Sequence, residues 1–343
     1  MKNRSDQIRG SLLGGAMGDA LGYPVEFLRR EQILHRYGKA GISNYELHPR
    51  TRKALISDDT QMTLFTAEGM LAAKKGEKPL YLYVAEAYGH WLVTQEQHLV
   101  SPDPASPLRS VPELYSRRAP GNTCLSALHE ARFRPLTEDP LSEACNRSKG
   151  CGGIMRVAPL GLCLADPARA AMEGARMAAI THGHPLGYLP AAVLTCLLSR
   201  ILYTPAGQSL EELIRASLLT VCGLFPTLPH LDRLRELTEL ALTLAQNEDS
   251  DAENILLLGE GWVAEETLAI SLYCALRYER DFSGGLIAAV NHNGDSDSTG
   301  AVTGNILGAL HGYEAIEEKW KQDLELKEVL LNTADALAQI SEV

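Results

Sequence analysis

Aromatic side chains, basic charge and long apolar runs are all scarce in this 343-residue chain, and each shortage excludes something. Lys and Arg number 32 against 43 Asp and Glu, a formal charge of −11 with histidine neutral. Nucleic-acid backbones are bound by Lys and Arg that displace counterions from phosphates, and no basic run offsets the acidic excess, so nucleic acid is excluded as the main partner. The longest apolar stretch, Leu186 to Leu198, contains Pro190 and ends at Ser199 and Arg200. That is short of the roughly 20 residues needed to cross a bilayer, so it reads as a core helix and no membrane partner is expected. The charged N-terminus runs into a short Gly-rich stretch instead of an apolar signal region, so no secretory signal is expected. Seven cysteines, an odd number with no C-x-x-C pair, suggest reduced thiols and a cytoplasmic protein.

Alternating strand patterns are nearly absent, whereas apolar residues recur at three- and four-residue spacing across most of the chain. Segments 62–76, 80–95, 190–203, 210–225, 231–246, 264–278 and 326–340 all carry this helical period. The expected fold is all-α. Five prolines between Ser101 and Pro120 mark one long irregular loop, residues 247–254 a solvated turn, and Gly/Pro pairs near 204 and 226 separate helices. Nothing resembles a Gly/Ser interdomain linker, which favours one compact domain, 1–343.

Four polar clusters interrupt the helical background: Gly14 to Glu26, Ser57-Asp58-Asp59-Thr60, Lys149 to Arg156, and Asn291 to Gly300. Ser57 to Thr60 directly precedes a helical pattern, and an N-cap explains it in the simplest way. Asp295 to Thr299 stands in the same relation to a helix over 301–310. A cap needs one side chain, yet two aspartates and two hydroxyls fall within five residues here. Crowded carboxylates repel unless a cation or protons intervene, and oxygen-only donors suit Mg²⁺ or Mn²⁺ better than zinc or copper. Asp295-x-Asp297-x-Thr299-Gly300 matches the opening of an EF-hand loop, but position twelve is Ile306 instead of a bidentate Glu, which argues against a calcium hand. Gly300, Gly304 and Gly308, four residues apart, would bare one helix face for close packing. The glycines at 150, 152 and 153 fit neither a P-loop nor a dinucleotide fingerprint. His182 and His184 sit poorly on one helix face for metal binding and read as structural or substrate contacts. Trp262, at the start of another helix, reads as core or as pocket lining.

In this order the clusters resemble the ADP-ribosylglycohydrolase family. The residues that carry the resemblance are Gly18-Asp19-Ala20-Leu21-Gly22 with Glu26, Ser57-Asp58-Asp59-Thr60, Gly152 to Pro159, Thr181-His182, Gly259 to Ala264, and Gly294 to Gly300, spanning about 8–312. The resemblance implies an all-α fold with a central dinuclear site holding two Mg²⁺ or Mn²⁺ ions, which cleaves the bond between ADP-ribose and an acceptor. It implies Ser57, Asp58, Asp59, Asp295, Asp297 and Ser298 as ligands, with Thr299 replacing Ser298 if the register slips by one. Glu26, Asp58 and Asp297 are implied as catalytic. Gly121, Asn122, Gly152, Gly153, Met155, His182 and Trp262 are read as facing the substrate. The expected partners are an ADP-ribosylated protein, the ADP-ribose product, and a regulatory or toxin ADP-ribosyltransferase whose mark is reversed. Arginine is the favoured acceptor. Serine-linked or O-acetyl-ADP-ribose, another small glycoside, or a non-catalytic binding role remain as alternatives. Many members carry Asn where this chain has Cys151, and Ala119 stands where the nitrogenase-reactivating members have an acid. With no charged neighbour evident in the sequence, Cys151 reads as packed and not nucleophilic.

Overall fold

The computed structural model describes residues 3–74, 76–133 and 138–340. Among these lie sixteen α-helices: α1 Arg4–Gly22, α2 Arg30–Tyr37, α3 Asp58–Ala73, α4 Leu80–Glu96, α5 Asn122–Phe133, α6 Ala158–Cys163, α7 Pro167–Ala179, α8 Pro185–Tyr203, α9 Leu210–Leu224, α10 Leu231–Leu244, α11 Asp251–Leu258, α12 Ala264–Arg277, α13 Phe282–Val290, α14 Ser296–His311, α15 Glu318–Lys321 and α16 Lys327–Ala338. Extended backbone pairs only as isolated bridges among the described residues, such as Gly150 with Val263. The all-α expectation holds.

The helices start and stop where local chemistry directs. Ser209 and Ser250 begin α9 and α11 with full capping boxes to Glu212 and Glu253. In the Pro-rich segment, two short 3₁₀ turns, Pro107–Ser110 and Pro112–Tyr115, each begin on proline. Helix α8 has the length and composition of a membrane span, but 83% of its apolar window is buried inside the protein, as a core helix requires.

The largest departure from the sequence reading is α1. Its glycines suggest a short irregular stretch, because glycine in a helix interior costs about 1 kcal/mol relative to alanine. Instead they lie on one face of a 19-residue helix. A Cβ added at Gly10, Gly14 or Gly18 would come within 2.3, 2.4 or 1.9 Å of the carbonyl oxygens of Gly308, Gly304 and Gly300. Two glycine stripes therefore press together, with the numbering of α1 rising as that of α14 falls, and the partner of the α14 stripe is α1. The same seam brings Asp19 near the start of α14. The described helices share one hydrophobic core cluster that runs from Ile8 to Leu337.

Candidate active site

Helices α3 and α14 begin side by side, and their N-terminal residues supply most of the site. Ser57 caps α3, its side chain accepting from Asp59 N–H at 3.2 Å. Asp295 caps α14, with Oδ1 accepting from Ser298 N–H at 3.2 Å. The capping reading of both clusters is correct, and it leaves other atoms over. Caps use one atom each, and the carboxylates of Asp58 and Asp59 at the start of α3 lie close enough to Asp295, at the start of α14, for their charges to repel, where the positive ends of two helix dipoles also point.

Glu26 reaches this centre from the turn after α1. One oxygen each from Glu26, Asp295 and Asp297 lie within 4.8 Å of one another. The Glu26 and Asp297 carboxyls lie against each other, and Ser298 stands beside Asp59. Thr299 does not take that place: its hydroxyl donates to Ala289 O at 2.7 Å and Asp295 O at 2.8 Å and meets His292 Nε2. Ser298, and not Thr299, faces the carboxylates. Because α14 already begins at Ser296, residues 295–306 form no calcium-binding loop.

Asp19, to which the sequence reading gave no role, completes the group. Its carboxylate accepts from Ser57 N–H at 2.9 Å, from Thr60 N–H at 3.1 Å and from the Thr60 hydroxyl, so α1 caps α3 from outside. The signal available in the sequence was a single acid in the apolar, Gly-rich C-terminal half of α1.

All six carboxylates are at least 93% buried by residue surface. Burial, followed by repulsion from neighbouring acids, pushes Glu26 up to about 9. Burial likewise raises Asp58 to about 8 and lifts Asp59 and Asp297 well above the carboxylate range. Asp19 rises only to about 6, because its hydrogen bonds offset much of the burial. Nearby basic residues are engaged elsewhere: Arg118 pairs with Glu325 at 3.0 Å and Lys149 with Glu265. Glu26 Oε2 and Asp59 Oδ2 are buried with no hydrogen-bond partner. Orphaned oxygens in a buried, uncompensated acidic cluster are what a hard divalent cation satisfies, so the donor set fits Mg²⁺ or Mn²⁺.

The residues read as substrate-facing are placed unequally. Gly121 N–H donates to Asp58 Oδ2 at 3.1 Å, and Asn122, exposed, begins α5 beside it. Gly152 and Gly153 lie in a 3₁₀ turn, Gly153 against Gly187 and Ala178 and Gly152 against His182, whose ring is buried and whose pKa burial and the nearby Arg156 charge lower to about 3. Met155 is buried and lines a small cavity together with Asp59 and Thr63. Trp262 stacks on Phe27, with ring centroids 5.9 Å apart, and Phe27 is 71% exposed. Cys151, read as packed, donates its thiol to Asp295 Oδ2 at 2.7 Å. Burial and the Asp295 charge raise the Cys151 pKa well above the usual thiol value, which agrees with its not being a nucleophile. A cleft of about 490 Å³, lined by Arg29, Glu31, Leu256 and Glu260 among others, opens beside the carboxylates and not over them.

Comparison with known proteins bears on this geometry. The ADP-ribosylglycohydrolase family model matches residues 1–343. The chain is 27% identical to the ADP-ribosyl-[dinitrogen reductase] glycohydrolase of Rhodospirillum rubrum, over 98% of this chain and 97% of that one. It is 25% identical to the ADP-ribosylarginine hydrolase Tri1 of Serratia proteamaculans, over 97% of this chain and 79% of that one. A solved ADP-ribosylglycohydrolase-related protein superposes with a TM-score of 0.70 at 27% identity, covering 99% of this chain and all of the other. The helical fold, the acidic centre and these matches agree: the chain belongs to the ADP-ribosylglycohydrolase family, hydrolases that act on glycosidic bonds of ADP-ribose.

Proposed function

We propose that this protein, a single domain over 1–343, releases ADP-ribose from a modified protein side chain, arginine first among acceptors, with two Mg²⁺ or Mn²⁺ ions at the carboxylate centre. The observation that carries the reading is the pair of buried oxygens without partners, Glu26 Oε2 and Asp59 Oδ2, inside a cluster that no basic side chain neutralises. Ser57, Asp58 and Asp59 from the start of α3 would hold the ions from one side. Asp295, Asp297 and Ser298 from the start of α14 would hold them from the other. When bound, the ions supply the compensating charge and a Lewis-acid grip on ribose hydroxyls and water.

The protein's own groups divide the remaining work. Asp19 fixes the first turn of α3 through Ser57 and Thr60 and so holds the spacing of Asp58 and Asp59. Gly121 N–H holds Asp58 Oδ2 from the α5 side. Glu26 lies against Asp297 and keeps Oε2 free of hydrogen-bond partners, so it is the group placed to exchange a proton with the attacking water or the departing acceptor. Phe27 and Trp262 form an exposed aromatic ledge next to Glu26, a surface suited to a planar acceptor such as guanidinium. The arginine assignment is further supported by the relative whose name specifies ADP-ribosylarginine. The seven cysteines are free thiols, in keeping with a reducing compartment such as the cytoplasm.

The test is incubation with an arginine-ADP-ribosylated protein, with and without EDTA, measuring released ADP-ribose. Release that stops with EDTA and returns with Mg²⁺ or Mn²⁺ supports the reading. Release unchanged by EDTA, or surviving Asp58→Ala and Asp297→Ala, overturns it. Parallel reactions with serine-linked and O-acetyl-ADP-ribose decide the acceptor, and tight ADP-ribose binding without turnover on any of them would make the chain a binding protein. Whether a regulatory mark or a toxin's is reversed depends on which transferase supplies the substrate.

A further inference from the structure

We propose that Cys151 is an additional, soft donor to the metal centre, so that one of its positions takes a thiophilic divalent cation such as Co²⁺, Zn²⁺ or Cd²⁺ through sulfur as well as oxygen. The inference rests on the metal reading above and concerns a residue which that reading leaves without a role.

The backbone at Cys151 is fixed from both directions. Its N–H donates to Trp262 O at 3.2 Å, Ala264 N–H donates to Lys149 O at 2.9 Å, and its carbonyl accepts from Ile154 and Met155 N–H at 2.9 and 3.2 Å. The side chain is therefore held at the site. Asp295 divides its two oxygens: Oδ1 caps α14 through Ser298 N–H, and Oδ2, the oxygen left for a cation, is the one that the Cys151 sulfur approaches at 2.7 Å. Independently, Asp59, on another helix and among the charges that act on Cys151, carries a buried Oδ2 with no partner. Sulfur and the Asp295 carboxylate thus meet at one place, with the unpartnered Asp59 carboxylate near enough for its charge to act on the thiol.

A borderline metal binds thiolate at about 2.3 Å and carboxylate at about 2.0–2.2 Å, which sets the two donor atoms roughly 3.1–3.6 Å apart, so Sγ and Oδ2 move apart by about 0.4–0.9 Å from their 2.7 Å contact to admit the ion. The binding step is balanced and involves no electron transfer. The S–H bond breaks, its proton goes to solvent, a sulfur–metal bond forms, and the S–H···Oδ2 hydrogen bond is replaced by two bonds to one ion. Soft donors favour thiophilic cations over Mg²⁺.

The experiment strips the full-length protein with chelator and titrates it with Co²⁺, following the visible ligand-field bands and the near-ultraviolet thiolate-to-metal charge-transfer band. We expect both to rise together in the unmodified protein. Cys151→Ser and Cys151→Ala should keep the ligand-field bands and lose the charge-transfer band, and Cd²⁺ affinity by calorimetry should fall about tenfold or more while Mg²⁺ affinity barely changes. Cys124→Ser, which removes a neighbouring thiol set against Gly152 O, should keep both bands. Ligand-field bands without a charge-transfer band in the unmodified protein overturn the Cys151 assignment and leave the oxygen-ligand reading standing. A charge-transfer band that survives in both Cys151 variants overturns it as well. No ligand-field bands at all overturn both readings.

Discussion

Two buried polar regions lie close together in this protein and are handled in opposite ways. Arg156 is fully buried, and its guanidinium donates to Met177 O at 3.1 Å and the Thr181 hydroxyl at 2.6 Å, with the Cys124 and Met62 sulfurs at 3.4 and 3.5 Å. The Tyr88 ring lies 4.4 Å from it. Nε alone of its nitrogens has no partner, and the Nε atoms of Arg109, Arg118 and Arg200 are likewise buried without one. A cation is thereby enclosed by neutral dipoles and an aromatic face. On the other side of Cys124, six acids crowd together: backbone N–H groups and hydroxyls satisfy Asp19 and single oxygens of Asp58, Asp295 and Asp297, but no basic side chain pairs with the group, and Glu26 Oε2 and Asp59 Oδ2 are buried without a partner. One buried charge is held by neutral partners on nearly every side, and the other group is left with unpaired oxygens of the kind the proposed cations would satisfy. In a folded chain an uncompensated buried charge is costly, so its persistence marks a binding function.

The sharpest way to separate the two regions is to neutralise one acid. Asp297→Asn should lower ADP-ribose release on the order of a thousandfold, yet raise the melting temperature of the EDTA-treated protein, because a repelling charge is gone. A lower melting temperature in EDTA would mean that the cluster is a structural network like the one around Arg156. Next in size, Arg156→Met should cost about 3–5 kcal/mol in chemical denaturation, since Thr181 and the Met177 carbonyl lose a charged partner inside the protein. A cost below about 1 kcal/mol would break the comparison from the other side.

The frame that holds both regions is testable through the seam of α1 and α14. A Cβ at Gly304 would lie 1.9 Å from Gly14 O, so Gly304→Ala should cost about 2–3 kcal/mol of overpacking and, by moving Asp19 against Asp297, weaken metal binding in the same calorimetric titration. The smallest effect belongs to His182. Its folded-state pKa is depressed to about 3 from 6.5, so below pH 6.5 the unfolded chain takes up a proton that the folded chain refuses until about pH 3. Stability is then lost as pH falls through that window and is flat above it. Between pH 7 and 5.5 the loss should be about 1 kcal/mol, and His182→Gln should remove that part of the slope in denaturation curves. Equal slopes would show His182 to be open to solvent.

Particular residues show how far the sequence reaches. Ser57, Asp58 and Asp59 and the Asp295–Ser298 group were legible because caps and acid spacing are local, readable within four residues. Helix α1 was hidden, because its glycines are unfavourable in an isolated helix and pay off only against a matching stripe nearly 300 residues away. Asp19 showed as a single acid in the apolar, Gly-rich C-terminal half of α1, but its partners Ser57 and Thr60 lie about 40 residues on. Met155, expected to face the substrate from its place in a motif, is buried, as are the acids of the site.

By itself, then, the sequence determined an all-helical chain, the chemistry of its two acidic helix starts and the family it resembles. All of these depend on residue type and on spacings within one or two helical turns. The tertiary structure decided that Ser298 and not Thr299 faces the acids, that Asp19 joins them, that Cys151 touches Asp295, and that two oxygens are left without partners. Those outcomes depend on which helix N-termini are brought together, and that is set by the close contact of two glycine faces at opposite ends of the chain, where no local rule reaches.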